Sequence, residues 1–353
     1  MNTNPKILDI AGRKVGVGQP RFIIAEAGVN HNGISEMAYQ LIDVAVQAGA
    51  DAVKFQTFKA DRLVTPNVPK AGYQLETTDA GESQYEMLQR LELSRETHQE
   101  LITYCRQKGI LFMSSPFDEE SADLLVDLGI EVFKLPSGEI ANLPFLAHVA
   151  RMGKPMIVST GMAYLGEVET AVSAIREAGN RDFVLLHCVS NYPANPVDAN
   201  LRAMRTMAMS FGAPVGFSDH TLGIEVAVAA VALGACVIEK HFTLDRSLPG
   251  PDHRASLEPA ELTALVRGIR TVEAALGDGR KEPTASEANT AAIARKSLVA
   301  AREILAGSVL TEEMIAIKRP GTGLKPAMRP YLIHRTARKT IPEGTLLRLE
   351  MLA

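Results

Sequence analysis

The stretch Pro214–Phe242, PVGFSDHTLGIEVAVAAVALGACVIEKHF, holds two short strand-like runs, PVGFSDH and CVIEKHF, that deliver His220 and His241 to their C-terminal tips. Between them the chain reads as a helix, ended by Leu233-Gly234-Ala235, where the glycine supplies a left-handed closing conformation. Strand, helix, glycine, strand is one step of a parallel sheet wound by crossovers. Working outward, the same step recurs. Further apolar runs stand at Phe22–Val29, Ala52–Phe58, Leu111–Pro116, Val132–Gly138, Pro155–Gly161 and Phe183–Val189. Ser35–Ala48 repeats apolar residues at Met37, Leu41, Val44, Ala45 and Ala48, the spacing of one helical face. Eight runs within about residues 20 to 276 match the roughly 250 residues of a closed (β/α)₈ TIM barrel. An open doubly wound sheet is the alternative, but the first run lacks the G-x-G-x-x-G turn such sheets often use.

Composition sets limits on function. The chain has 353 residues, 46% of them hydrophobic, enough for a large core. A net charge of −4 argues against nucleic acid or an anionic membrane as partner. Cys105, Cys188 and Cys236 are widely spaced and read as reduced core residues, not a disulfide framework. There is no apolar signal core, and the longest uncharged apolar stretch, Val226–Ile238, is too short for a membrane span. The expectation is a soluble cytoplasmic protein.

The organisation changes after Leu276. Residues 1–276, with a short N-terminal extension over 1–21, read as the barrel domain. Residues 277–293 lack apolar periodicity and read as a linker. Residues 294–353 alternate short apolar pieces with turn signals, giving a small β-rich module whose core calls for outside support.

Strand parity then gathers the chemistry. Side chains two apart share a face, so Lys54 with Gln56, Ser218 with His220, and Glu239 with His241 point the same way. Active sites of such barrels form at the C-terminal strand ends. Two imidazoles on neighbouring tips suit an open, mixed-ligand site for Mn²⁺ or a similar divalent ion, Mg²⁺ or Co²⁺, better than a closed zinc site. Lys54 and Lys134 sit in strongly apolar runs, where an unpaired ammonium is costly. They read as buried salt bridges to Glu26 and Glu139, as an anion site helped by Ser115, Ser137 and Ser218, or as a Schiff-base lysine. Residues 59–81, after the second run, show no clear helix and read as a lid or binding loop.

The motifs IIAEAGVNHNG (Ile23–Gly33), DAVKFQTF (Asp51–Phe58), FKLPSGE (Phe133–Glu139), STGM (Ser159–Met162), GFSDHTLG (Gly216–Gly223), IEKHFTLD (Ile238–Asp245), LPGPDH (Leu248–His253) and KRPGTG (Lys318–Gly323) stand in order. In this combination the chain resembles the sialic acid synthase family. The tail is similar to the antifreeze-like (SAF) module of that family.

The resemblance implies a transferase that condenses phosphoenolpyruvate with N-acetylmannosamine and water to N-acetylneuraminate and phosphate. The runner-up is N,N'-diacetyllegionaminate synthesis from 2,4-diacetamido-2,4,6-trideoxymannose, and a metal-dependent barrel aldolase or lyase is the reading from another class. It further implies His220 and His241 as ligands of Mn²⁺. Lys54, Lys134, Ser115, Ser137 and Ser218 would hold the phosphate and carboxylate of phosphoenolpyruvate. Glu26, Gln56, Glu139, Tyr192 and Asp252 would surround the sugar and the reacting carbons. Ser190 stands where the sialic acid type has asparagine, and its run looks at least as much like the legionaminic acid branch. Arg319 matches the arginine that reaches the partner subunit's site in a domain-swapped homodimer.

Overall fold

Alternation along the strands decides what fills the barrel. The structure, a computed structural model, describes residues 6–353 except 67, 71, 79 and 80. Its elements fall into two units, Met1–Gly277 and Asp278–Ala353. In the first, a hairpin of β1 (Ile7–Ile10) and β2 (Arg13–Gly16) precedes β3 (Phe22–Gly28) and β4 (Ala52–Thr57). Then come β5 (Leu111–Pro116), β6 (Phe133–Leu135), β7 (Met156–Ser159), β8 (Phe183–Cys188), β9 (Val215–Asp219) and β10 (Val237–His241). Strands β3 to β10 form one parallel sheet in the order β5-β4-β3-β10-β9-β8-β7-β6, with β5 and β6 side by side at the closing seam. This is the eight-stranded barrel read from the sequence.

Each strand has two faces with different destinations. Ile23, Ala25, Val53, Phe55, Phe133, Leu135, Leu185, Phe217 and Ile238 pack outward under the helices in a single core. Helix Ser35–Ala48 buries Ala38, Leu41, Ile42, Ala45 and Ala48 there and is closed by Gly49 at φ 80°. Inward, Phe22, Ile24, Ala52, Met113, Val132, Ile157, Val184, Leu186 and Val237 fill the lower half of the barrel. One step further along the same strands the inward positions turn polar. Lower layers are oil; the upper layer is charge.

Three details depart from the sequence reading. The N-terminal extension is a two-residue-turn hairpin, Ala11 and Gly12 both having positive φ, and its Leu8, Ile10 and Val15 are buried with the lower barrel layer. The fourth strand stops at Leu135 because Pro136 has no N–H to continue a ladder, and Ser137–Glu139 turns as a 3₁₀ helix. Residues 59–81 are not without helix: Ala60–Leu63 and Gly72–Thr77 are short helices. Residues 67, 71, 79 and 80 of that segment lie outside the described residues.

In the second unit, β11 (Ser297–Ala300) pairs antiparallel with β12 (Ile315–Lys318). Isolated bridges such as Ile304 to Ile341 and Ala337 to Leu352 complete a small β-rich body. Leu298, Ile304, Leu310, Leu332, Ile341 and Leu347 form its core. The stretch read as linker, 277–293, carries a 3₁₀ turn at Ala285–Glu287 and most of a helix at Ala288–Ala294. Small alanine-rich sequence with only one large apolar residue, Ile293, hid that helix from a periodicity reading.

Candidate active site

Strand register assembles the upper layer. Glu26 on β3 stands beside Lys54 on β4 and beside His241 on β10. Glu239 on β10 stands beside Ser218 on β9. Lys54 Nζ lies 2.7 Å from Glu26 Oε2 and 3.7 Å from Glu239 Oε2, and donates to Ser115 Oγ at 3.0 Å. Lys134 Nζ lies 3.1 Å from Glu239 Oε1, which also accepts from Ser218 Oγ at 2.9 Å. The four charged side chains are 2–4% exposed.

Burial and mutual charge set the protonation of this floor. Burial drives the Glu26 carboxyl up to about 7, against the pull of Lys54 and with the push of Glu239. Burial also acts on Glu239, but Lys134, Lys54 and the Ser218 hydroxyl outweigh it and hold this carboxylate at about 2. Lys134 is lowered by burial, its attraction to Glu239 notwithstanding. Glu26 is therefore the floor group that can carry a proton near neutrality, while Glu239 stays ionised between two ammonium groups.

The floor opens into a cavity of about 460 Å³ at the C-terminal strand ends. It is lined by Glu26, Lys54, Gln56, Ser115, Lys134, Ser137, Ser190, Tyr192, Ser218, His220, His241 and Asp252, all picked out from the sequence. Two glycines make room for it. A Cβ on Gly28, which has φ 54°, would stand 3.3–3.5 Å from Glu26, His241 and Asp252 together. A Cβ on Gly161 would collide with the oxygens of Ser190 and Ser137 and the sulfur of Cys188. The Gly161 N–H instead donates to Ser137 Oγ at 3.0 Å.

The two imidazoles lie with ring centroids 5.5 Å apart, and the Tyr192 ring is 4.2 Å from His220. His220 Nδ1 is 2.7 Å from the Val189 carbonyl, an arrangement that leaves Nε2 with its lone pair. Burial pushes His220 down to about 4, and His241 well below the ordinary histidine value. His241 Nδ1 is buried without a hydrogen bond, 3.9 Å from Asp252 Oδ2. Two neutral imidazoles, one with an orphaned nitrogen, are a donor set that fits a divalent ion. Among the described residues no third His, Cys, Asp or Glu completes a closed cluster, so the set is open.

This floor of paired lysines and carboxylates, under neutral imidazoles at the mouth of a parallel barrel, meets its relatives in sequence. The NeuB family profile matches residues 41–281 and the SAF domain profile residues 295–353. The chain belongs to the NeuB family. It is 48% identical over 351 residues to the N,N'-diacetyllegionaminic acid synthase of Legionella pneumophila, covering 98% of each chain. The N,N'-diacetyllegionaminic acid synthase of Campylobacter jejuni is also 48% identical, over 92% of this chain and 98% of its own. Among solved structures, the N-acetylneuraminic acid (sialic acid) synthetase of Leptospira borgpetersenii in complex with citrate superposes with a TM-score of 0.74. It is 37% identical and covers 82% of this chain and 96% of that one. The protein is thus an enzyme, a synthase of the NeuB family with a C-terminal SAF domain.

Within this NeuB barrel the structure corrects one pairing and adds a residue. Lys134 pairs with Glu239, not Glu139. Glu139 sits in the 3₁₀ turn after β6, accepts from Asn142 at 2.7 Å and is not among the cavity-lining residues. Sequence reading placed Glu239 on the right strand face but left it out of the site; its parity with His241 was the signal. The outward faces of the same tips hold a second pair, Lys240 with Asp219 at 2.7 Å, their side chains 1% and 0% exposed. The Lys240 ammonium also donates to the Thr221 carbonyl. Lys240 thus grips the residues on both sides of His220 while sitting between Glu239 and His241. Arg319 lies in the SAF unit, exposed, its Nε donating to the Ala294 carbonyl at 3.1 Å. Among the described residues no helix is long and apolar enough to cross a membrane.

Proposed function

We propose that this chain condenses phosphoenolpyruvate with 2,4-diacetamido-2,4,6-trideoxymannose and water, giving N,N'-diacetyllegionaminate and phosphate. The observation that carries the choice of sugar is 48% identity over 98% of both chains to a synthase named for that product. N-acetylmannosamine, which the sequence resemblance put first, becomes the second reading, supported by the 37% identity to a sialic acid synthetase. Family membership removes the ground for the aldolase reading.

The chemistry follows from the floor. Lys54 and Lys134, with the Ser115, Ser137 and Ser218 hydroxyls, supply donors for the carboxylate and phosphate of phosphoenolpyruvate. Gln56, Ser190, Tyr192 and Asp252 stand above them for the sugar. C3 of phosphoenolpyruvate attacks the aldehyde carbon of the open-chain sugar, forming the new C–C bond. The aldehyde oxygen needs a proton at that moment, and Glu26, placed between Lys54 and the His241 strand, is positioned to give it. Water adds to the cationic C2, and the resulting tetrahedral intermediate expels phosphate by C–O cleavage, leaving the 2-keto acid. His220 and His241 would hold a divalent ion, Mn²⁺ by preference, which supplies Lewis-acid polarisation of the aldehyde oxygen when bound. Glu139, which accepts from Asn142 beside the cavity-lining Ser137 and Gly138, would act from the rim on the sugar and the reacting carbons.

Two copies with exchanged SAF domains would bring Arg319 of one to the sugar in the other. Supporting this, Arg319 is exposed and has no carboxylate partner among the described residues. A cytoplasmic setting fits three cysteines that are free and buried. The test is phosphate release from phosphoenolpyruvate with Mn²⁺ and each sugar in parallel. Higher kcat/KM for the trideoxy sugar supports the reading; turnover with N-acetylmannosamine alone moves the product to N-acetylneuraminate. No phosphate with either sugar refutes the synthase assignment.

A further inference from the structure

The cavity has two unlike walls. In the sheet order, β4 lies across the barrel from β8 and β3 across from β7. On the side after β6, β7 and β8 four of the lining residues, Ser137, Ser159, Ser190 and Tyr192, carry hydroxyls, and Met162 is the one large aliphatic side chain among them. On the side after β3, β4 and β5 it is Val29, Leu63, Val64, Met87, Leu88 and Phe117. All of these but Val64 belong to a small apolar cluster of their own, with Phe58 and Leu91, separate from the main core. Helix Gln84–Leu91 carries part of it and is fixed at its start by a reciprocal Ser83–Glu86 capping box. Set into this wall is one amide pair: Gln84 Nε2 donates to Gln74 Oε1 at 3.3 Å, and both glutamines line the cavity.

A fully hydroxylated sugar is a poor match for such a wall, since each hydroxyl pressed against it loses water and gains no partner. An acetamido group is the opposite case: an amide to bond and a methyl to bury. A deoxygenated carbon likewise offers only a methyl. We infer that the Leu63–Leu88 wall, with its Gln74–Gln84 amide pair, is the specificity surface that takes the second acetamido group and the 6-methyl of the acceptor sugar. This rests on the synthase reading above and names the residues that choose among its sugars. The size of the effect is bounded, because an apolar surface rejects an added hydroxyl by only about a hundredfold.

The experiment compares kcat/KM for 2,4-diacetamido-2,4,6-trideoxymannose with that for N-acetylmannosamine in the full-length, Mn²⁺-loaded protein and in two variants. Leu88→Asn places an amide on the wall from a half-buried position. Val64→Thr is isosteric, which keeps the test alive if the first variant folds poorly. The readout is the ratio between the two sugars, so a general loss of activity cancels. The expected result is a preference of about a hundredfold for the trideoxy sugar, cut roughly tenfold by Leu88→Asn and severalfold by Val64→Thr. An unchanged ratio in both variants, with phosphate still released, overturns the wall assignment and leaves the synthase reading intact. Preference of the unaltered protein for N-acetylmannosamine overturns it as well. Release of phosphate with neither sugar brings down the synthase reading itself, and the wall with it.

Discussion

Replacing Lys240 by Met keeps the side-chain stem and removes the ammonium that lies 2.7 Å from Asp219 and also serves the Thr221 carbonyl. The Asp219 carboxylate is then left in a site with 0% side-chain exposure, still accepting from Thr221 N and Oγ1 but facing no cation. Breaking one partner out of a buried pair costs about 3–5 kcal/mol. At the low end of the usual conversion, about 2 °C per kcal/mol for a large domain, the barrel should lose roughly 6–10 °C in Tm. Removing both charges, with Asp219→Asn added, should recover most of that loss, because an uncharged buried pair carries no stranded ion. Calorimetry and urea titration of the two single variants and the double variant give the full cycle. A Lys240→Met loss below about 1 kcal/mol, or a double variant no better than the single, would refute the reasoning. The same cycle has a functional arm. Since Lys240 grips both flanks of His220, Mn²⁺ affinity measured by calorimetric titration should fall in the single variants.

Three further outcomes are expected. Glu26→Gln should lower kcat by about 10²–10⁴ with little change in sugar KM, measured by phosphate release; a kcat within threefold of the parent would remove Glu26 from proton handling. His220→Ala and His241→Ala should each abolish Mn²⁺ binding by calorimetric titration and most turnover, and full metal dependence in either would sink the ligand assignment. Arg319→Ala should raise the sugar KM while leaving the phosphoenolpyruvate KM in place; an unchanged sugar KM counts against exchanged SAF domains.

Most of the barrel was legible because its signal is local. Runs such as AVKFQTF and CVIEKHF combine β-branched and aromatic residues with polar ones at fixed parity, and a glycine ends each preceding helix. Lys54 and Lys134 stood out for the same reason, as charges in apolar runs. What sequence could not give was partner choice across the barrel. Lys134 has Glu139 five residues away and Glu239 over a hundred residues away, yet β6 and β10 face each other across the barrel and give it the distant one. The Lys240–Asp219 pair was hidden in the same way, since outward-facing charges at a strand tip look like solvated ends until the helices cover them. The hairpin of β1 and β2 was legible in principle from Leu8, Ile10, Val15 and Ala11-Gly12, but four-residue strands carry little periodic signal.

That hairpin has a consequence for the electrostatics above it. Leu8, Ile10 and Val15 are buried against the lower barrel layer and add apolar cover beneath the charged layer. The lysines and carboxylates meet the cavity at the mouth, with apolar layers beneath them. Whatever anion enters there meets a field that water has not flattened, and on arrival it shuts out the remaining screening itself. How far water screens that charged layer is therefore set partly at the far end of the barrel, by three apolar side chains that line no part of the cavity.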